Sequence, residues 1–358
     1  MLPTNPTTDL VRAAIASFGR PCEGVRILWR AIVKPSSHTL WTLLALFFLA
    51  FGACGANAQT FPSRAITIIN PFAAGGPADL IARAAAKTLS ESLGQQVIIE
   101  NKPGGGGAIG AAFVAKAPPD GHTLFLGTSA THVVNPIVQR TPYEGIKDFE
   151  FLGIAANTVN VLIVNPSVPA KTLQEFIALA RASPGKLSYG SGGQGTTGHL
   201  GMEMLKQITG VDILHVPYKG AAPAINDLLG GAIHAALPNL SVAMPFIKAG
   251  RLRALAFAAK DRSKSMPDIP TFSESGFPGY ESTTWYSLST RAGTPNAVLA
   301  KLQSAVQALL DNPEYQSVMA SQGTEILKLS AQETLEFVRK DARQTEALLK
   351  SARIKIEY

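Results

Sequence analysis

The chain reads as an α/β protein of two lobes, built on mainly parallel sheets flanked by helices. Three observations carry that expectation. Short, β-branched apolar runs alternate with amphipathic segments from Ile66 to about Ala259, the pattern of βαβ units. The runs lack polar alternation, as strands covered on both faces do. After Arg291 the pattern is wholly helical, so the C-terminal segment is expected to pack on a sheet formed earlier. The chain is expected to cross between lobes near Asn157–Val164 and return near Thr283–Thr290. One lobe then takes residues 59–158 and 284–358, the other 159–283.

The first 58 residues stand apart from this pattern. The apolar run Leu40 to Phe51 follows a stretch holding Arg12, Arg20, Arg26, Arg30 and Lys34 against only Asp9 and Glu23, and precedes Ala56-Asn57-Ala58. A positive region, a short apolar core and a small-x-small end make a secretory signal peptide. A spanning helix needs about 20 apolar residues, more than this run holds. Residues 1–58 are therefore expected to be a signal peptide with a long N-terminal extension, and the chain from Gln59 to work in the periplasm. Phe51-Gly52-Ala53-Cys54 is similar to a lipoprotein box with an atypical Phe, so a lipid anchor at Cys54 stands as the alternative to a soluble protein.

Composition removes several function classes. Both cysteines, Cys22 and Cys54, precede Gln59, which excludes a disulfide framework, a Cys nucleophile and Cys-held metal. Of the formal charge of +7, about +4 remains after Gln59, scattered without a basic stripe. Nucleic acid is thus not an expected partner, while small anions suit the balance. His122, His132, His199, His215 and His234 show no metal spacing, and no metal or cofactor is expected.

In chain order, strand Ile66–Asn70 runs into Pro71-Phe72-Ala73-Ala74-Gly75-Gly76-Pro77-Ala78-Asp79. The glycines let the backbone turn, and Pro77 fits a first helical turn, where its missing N–H costs nothing. The helix that follows carries Leu80, Ile81, Ala84, Ala85 and Leu89 on one face and stops at Gly94. Free N–H groups at such a start make an anion site. Equally, the segment fits a plain strand-to-helix turn, with Asp79 favoured by the helix dipole. After strand Val97–Glu100, Gly105, Gly107 and Gly110 give the spacing G-x-G-x-x-G. The next acidic residue, Asp120, lies in the turn Pro118–Gly121, so the ribose-binding element of a dinucleotide fingerprint is missing. The segment reads as a close-packed glycine turn. Strand Thr123–Leu126 precedes Gly127-Thr128-Ser129-Ala130-Thr131, which lacks one glycine of a nucleophile elbow.

Strand Val159–Val164 is the crossing element. Thr172-Leu173-Gln174-Glu175 is a capping box ahead of Phe176, Leu179 and Ala180. Strand Leu187–Tyr189 runs into a second glycine loop, Ser191-Gly192-Gly193-Gln194-Gly195-Thr196-Thr197-Gly198-His199, which opens a helix with Leu200, Met204 and Ile208 on one face. Strands Ile213–Val216, Ile233–Leu237 and Arg253–Ala258 complete the set. Thr294-Pro295 supplies an N-cap and a first-turn proline for a helix through Leu310, and Ser330-Ala331-Gln332-Glu333 caps the C-terminal helix. Ligands of two-lobed α/β proteins sit beyond the carboxyl ends of strands. Two glycine loops facing each other from different lobes would hold a carboxylate without an Arg. His199 would act as a base for Ser129 or Ser191 only if the fold brought them together.

The succession of segments resembles the tripartite tricarboxylate transporter receptor family, the Bug-type periplasmic solute-binding proteins. Its markers are Pro71-Phe72-x-x-Gly75-Gly76-x-x-Asp79, Glu100-Asn101-Lys102-Pro103-Gly104, Pro119-Asp120-Gly121-His122-Thr123-Leu124, Ser191-x-Gly-x-Gly195-Thr196, His215-Val216-Pro217-Tyr218-Lys219-Gly220 and Ala249-Gly250-Arg251-Leu252-Arg253. The resemblance covers the chain from Phe61 to its end. It implies a type II periplasmic binding fold, two lobes closing on a small organic acid, with membrane components of a transporter as partners and the receptor a monomer. The implied ligand-binding residues are Phe72, Ala73, Ala74, Gly75, Gly76 and Asp79 in the first loop. Thr128 and Ser129 would line the cleft, Ser191, Gly192, Gly195, Thr196, Thr197 and His199 would form the second loop, and Tyr218 would stand beside them, with Lys219 fitting a cleft residue and a solvated turn residue equally.

Two positions depart from the family pattern. Many relatives carry an aspartate after the strand matching Ile233–Leu237, where it meets a ligand amino group. Pro238 stands there, which favours a plain or aromatic carboxylate. Asn70 replaces a usual aliphatic residue. The reading is a receptor that makes and breaks no bond. Its rivals are a secreted serine-type hydrolase using Ser129 or Ser191 with His199, and a ligand sensor feeding a signalling partner.

Overall fold

β-Branched residues set the first strands. Ile66, Ile68 and Ile69 are wholly buried in β1 (Ile66–Asn70), which is followed by α1 (Pro77–Leu93), β2 (Val97–Asn101), α2 (Ala108–Ala115) and β3 (Thr123–Thr128). The structure is a computed structural model and describes residues 61–351. The expected signal peptide and the Cys54 box lie outside the described residues. Next come α3 (Asn135–Val138), β4 (Phe149–Val159), β5 (Val161–Val164), α4 (Leu173–Ala182), β6 (Ser188–Ser191) and α5 (Thr197–Thr209). The chain continues through β7 (Leu214–Pro217), α6 (Ala221–Leu229), β8 (Ala235–Ala236), α7 (Leu240–Lys248) and β9 (Arg253–Phe257). It ends with β10 (Thr283–Arg291), α8 (Asn296–Asp311), α9 (Pro313–Ser321), β11 (Thr324–Glu325) and α10 (Ala331–Ser351).

The strands form two sheets, in the orders β11-β4-β10-β3-β1-β2 and β7-β6-β8-β5-β9. The expectation of mainly parallel sheets is corrected here. β1 is parallel to β2 and β3, and β6 to β7 and β8, but β10 is antiparallel to both β3 and β4, and β5 to both β8 and β9. The reason is connectivity. βαβ crossovers make parallel neighbours, whereas β4 carries the chain out of the first sheet and β10 brings it back beside β4 in the opposite direction. The expected strand Val159–Val164 is two strands of different sheets meeting at Asn160.

Each sheet is covered on both faces. α1, α8 and α9 pack on one side of the first sheet, through residues such as Ile81, Leu89, Val306, Leu309 and Met319. α2 and α10 close the other side around Phe125, Phe149 and Trp285. α4 and α5 cover one face of the second sheet, and α6 and α7 the other. Fully burying a side chain of this size contributes roughly 1.5–3 kcal/mol.

Two helical readings shift. The expected Leu200–Met204–Ile208 face of α5 is not the buried one: Ile208 is 56% exposed, and Met202, Leu205 and Thr209 face the core. His199 is buried too, at 5% exposed. α8 starts one residue later than expected, because the Thr294 hydroxyl donates back to the Arg291 carbonyl (2.7 Å) and caps no amide. Both N-caps form, but only the Ser330 box is reciprocal, since the Glu175 carboxylate takes the Lys171 N–H (2.6 Å) and the Glu333 carboxylate takes the Ser330 N–H (2.9 Å). Thr172 Oγ1 accepts from Glu175 N–H (3.1 Å), and Ser330 Oγ and Glu333 N–H pair at 3.3 Å.

Candidate functional site

Where the carboxyl ends of β1, β3 and β6 meet the crossing segments, the two lobes enclose a cavity of about 60 Å³, roughly four times the room one water needs. Three helix starts border it: Pro77 and Ala78 of α1, Thr196 to Gly198 before and within α5, and Ala221 of α6. First-turn N–H groups lack intrahelical partners and carry partial positive charge. None of the lining residues is charged. The wall is mixed: Ala130, Ala224, Ile225 and Leu237 are apolar, while Thr128, Ser191, Thr197 and Thr284 offer hydroxyls. Such a set suits an anion with an apolar body.

The first loop supplies less of this cavity than its sequence indicates. Phe72 lines it, whereas Ala73, Ala74, Gly75, Gly76 and Asp79 do not. Their polar groups are engaged locally. Asp79 is 3% exposed, and its carboxylate takes Gly75 N–H (3.0 Å) and Arg83 Nε (2.9 Å). Burial opposes its charge, but the Arg83 and Gly75 hydrogen bonds prevail and lower its pKa below the usual value. Asp79 therefore behaves as the turn carboxylate that the plain strand-to-helix reading describes. Ala73 N–H donates across the lobes to the Lys219 carbonyl (2.9 Å). Asn70, fully buried, accepts from Phe72 N–H (3.2 Å) and donates to Asn101 Oδ1 (3.1 Å). A polar strand end thus fixes the loop.

The second loop lines the cavity through Ser191, Gly192, Thr196 and Thr197; Gly195 and His199 stand behind it. His199 Nδ1 accepts from Gly195 N–H (3.1 Å), and its ring stacks on His215 with centroids 4.2 Å apart. Burial pushes both imidazoles down to about 4. The pairing of His199 with a serine that the rival hydrolase reading needs does not form. Ser191 Oγ instead meets His215 Nε2 (2.7 Å) and is tied to Gly193 of its own loop. Ser129 Oγ is buried without a hydrogen-bond partner and lies off the cavity, while Thr128 lines it. Tyr218 is half-buried with its ring beside Gly190, its hydroxyl donating to Asp227 Oδ2 (2.6 Å), and Lys219 is exposed.

The sequence reading missed the floor of the cavity, which the crossing segments supply. Tyr286 donates to Asn239 Oδ1 (2.6 Å), and Asn239 Nδ2 donates to Asn160 Oδ1 (2.6 Å) and Thr284 Oγ1 (2.8 Å). Asn160 Nδ2 donates to Ser282 Oγ (2.8 Å) and Thr197 Oγ1 (3.1 Å), and the Thr197 and Thr284 hydroxyls share a bond. This network ties the start of α5 to both segments that join the lobes. One signal was readable: Asn160 is the lone polar residue of Val159–Val164. α6 was missed because its start has no Ser, Thr or charged marker, only Gly220-Ala221-Ala222-Pro223.

Two α/β lobes around a cavity bordered by helix starts define a solute-binding receptor of the periplasmic type. The sequence profile described as tripartite tricarboxylate transporter family receptor matches residues 81–354, and the chain belongs to that family. BugT of Bordetella pertussis is 31% identical over 321 residues, which cover 89% of this chain and 98% of BugT. An R. palustris protein solved with adipate is 36% identical with a TM-score of 0.79, covering 82% of this chain and 99% of that one. MatC from Rhodopseudomonas palustris, solved with malate, is 30% identical with a TM-score of 0.78, covering 81% and 100%. The two-lobed periplasmic binding fold expected from the sequence is the fold of these neighbours.

Proposed function

We propose that the chain is a periplasmic receptor, exported by its first 58 residues, that closes on a small organic carboxylate and delivers it to membrane components of a tripartite transporter. The observation that carries the reading is the uncharged cavity between the lobes, bordered by the starts of α1, α5 and α6. Amide and hydroxyl donors in a closed site hold a carboxylate by charge-assisted hydrogen bonds. Its adipate- and malate-bound relatives support the class. Pro238 and Asn239 line the cavity where an acidic residue would meet an ammonium group, so a dicarboxylate or aromatic acid without an amino group is the ligand we assign. Phe72, Thr128, Ser191, Gly192, Thr196 and Thr197 are its proposed contacts from the two loops, joined by Asn160, Thr284 and Tyr286. We take residues 59–158 and 284–358 as one lobe and 159–283 as the other, and the receptor as a monomer without enzymatic chemistry.

Thermal unfolding in a panel of di-, tricarboxylic and aromatic acids tests this. A ligand at 100 times its Kd stabilises by about 2.7 kcal/mol. At least one acid is expected to raise Tm clearly, with the effect reduced in Thr197→Val. No response to any acid would overturn the reading.

A further inference from the structure

The glycine turn that precedes α2 has no part in the cavity, yet it packs directly against the other lobe. We propose that Gly106, backed by Asn135, is an affinity-setting closing contact outside the cavity. A β carbon on Gly106 would stand 2.0 Å from the Gln194 carbonyl oxygen of the other lobe, so the closed form has room there only for hydrogen. Gly193 faces it, and a β carbon there would lie 3.2 Å from Gly106 Cα. Asn135 Nδ2 holds the turn by donating to the Gly106 carbonyl (3.0 Å). Its Oδ1 meets Gly195, where an added β carbon would lie 2.3 Å away. Side-chain carbons are thus missing from both sides of one seam.

A second seam lies at Ala73 and Gly220. Ala73 N–H donates to the Lys219 carbonyl (2.9 Å), and a β carbon on Gly220 would come within 3.1 Å of that nitrogen. The second seam joins two loops that border the cavity, and the first ties one of them to the glycine turn. A carbon added at Gly106 meets Gln194 only when the lobes shut. It therefore penalises the closed state alone and shifts the population toward the open one. Apparent affinity falls by the same factor as the closed fraction. The proposal rests on the receptor reading above, but its test needs no ligand, so the two fail separately.

Local strain has a matched control in the same turn. Gly105 and Gly106 have φ of +58° and +59°, but a β carbon on Gly105 meets only Ala108 Cβ at an ordinary 3.5 Å. Gly105→Ala therefore carries the backbone strain without the interlobe clash. The reporter of closure is Gly75→Cys with Ala222→Cys, whose β carbons would stand 3.8 Å apart across the lobes, within disulfide range. It is placed in the full chain with Cys22→Ser and Cys54→Ser, so the pair supplies the only thiols. The rate of oxidative cross-linking is read without ligand. Gly106→Ala is expected to cross-link at least fivefold more slowly than Gly105→Ala; a smaller difference overturns the proposal. Should Gly106→Ala not fold, Gly195→Ala is compared with Gly210→Ala. These have φ of +73° and +69°, with nothing within 4 Å of a β carbon at Gly210, and the same threshold decides.

Discussion

Single residues at this site are defined less by their chemistry than by which partner reaches them first. Asp79 has the sequence position of a ligand contact, but Arg83 four residues on occupies it. His199 has the position of a base, but it serves as an acceptor for its own loop. Both partners lie four residues away in the chain, so the outcome turns on the rotamer each side chain adopts and not on residue type alone. His199 and His215 make a pH-dependent prediction. Burial holds both near 4, so between about 6.5 and 4 the unfolded chain binds protons that the folded chain refuses. The stability they supply is complete above about 6.5 and is lost as pH falls toward 4. His132, also pushed down to about 4 by burial, adds to the same slope. His199→Asn keeps an acceptor for Gly195 N–H and removes one titration. Denaturant midpoints from pH 7 to 4.5 should then fall by about one third less than in the parent, and an unchanged slope would refute the assignment.

At the scale of elements, most of the fold was legible. The run Ile66–Asn70 forms a strand as expected, and Gly94 ends α1 with φ of 66° and its N–H on the Ser90 carbonyl. Local signals suffice there, since a cap or an apolar period acts through near neighbours. Thr172 is the direct test. Thr172→Ala removes the acceptor of Glu175 N–H and should cost about 1 kcal/mol, read from urea unfolding; no loss would mean that packing alone holds α4. Residues 149–159 were not read as a strand, because Glu150, Gly153 and Asn157 break the apolar run. β4 is a strand because β10 pairs with nearly its full length, a partner more than 120 residues away in the chain. The antiparallel crossing, and with it the polar floor of the cavity, follows from that long-range pairing.

For the whole molecule, the two glycine loops do flank one cavity, as the sequence led us to expect, though their tips serve the seams more than the site. Thr196 and Thr197 line the cavity, while Gly75 approaches α6 and Gly195 meets Asn135 across the lobes. Closure and binding thus draw on adjoining parts of the same loops, which is how a ligand between lobes can favour the shut form. An uncharged cavity should take an organic anion and refuse one that also carries an ammonium group, since an ammonium buried without a partner costs several kcal/mol. Calorimetric titration with paired acids differing only by an amino group, such as glutarate against glutamate and adipate against 2-aminoadipate, tests it most directly. The plain acid of a pair is expected to bind at least tenfold more tightly. Equal or tighter binding of the amino acid would contradict it.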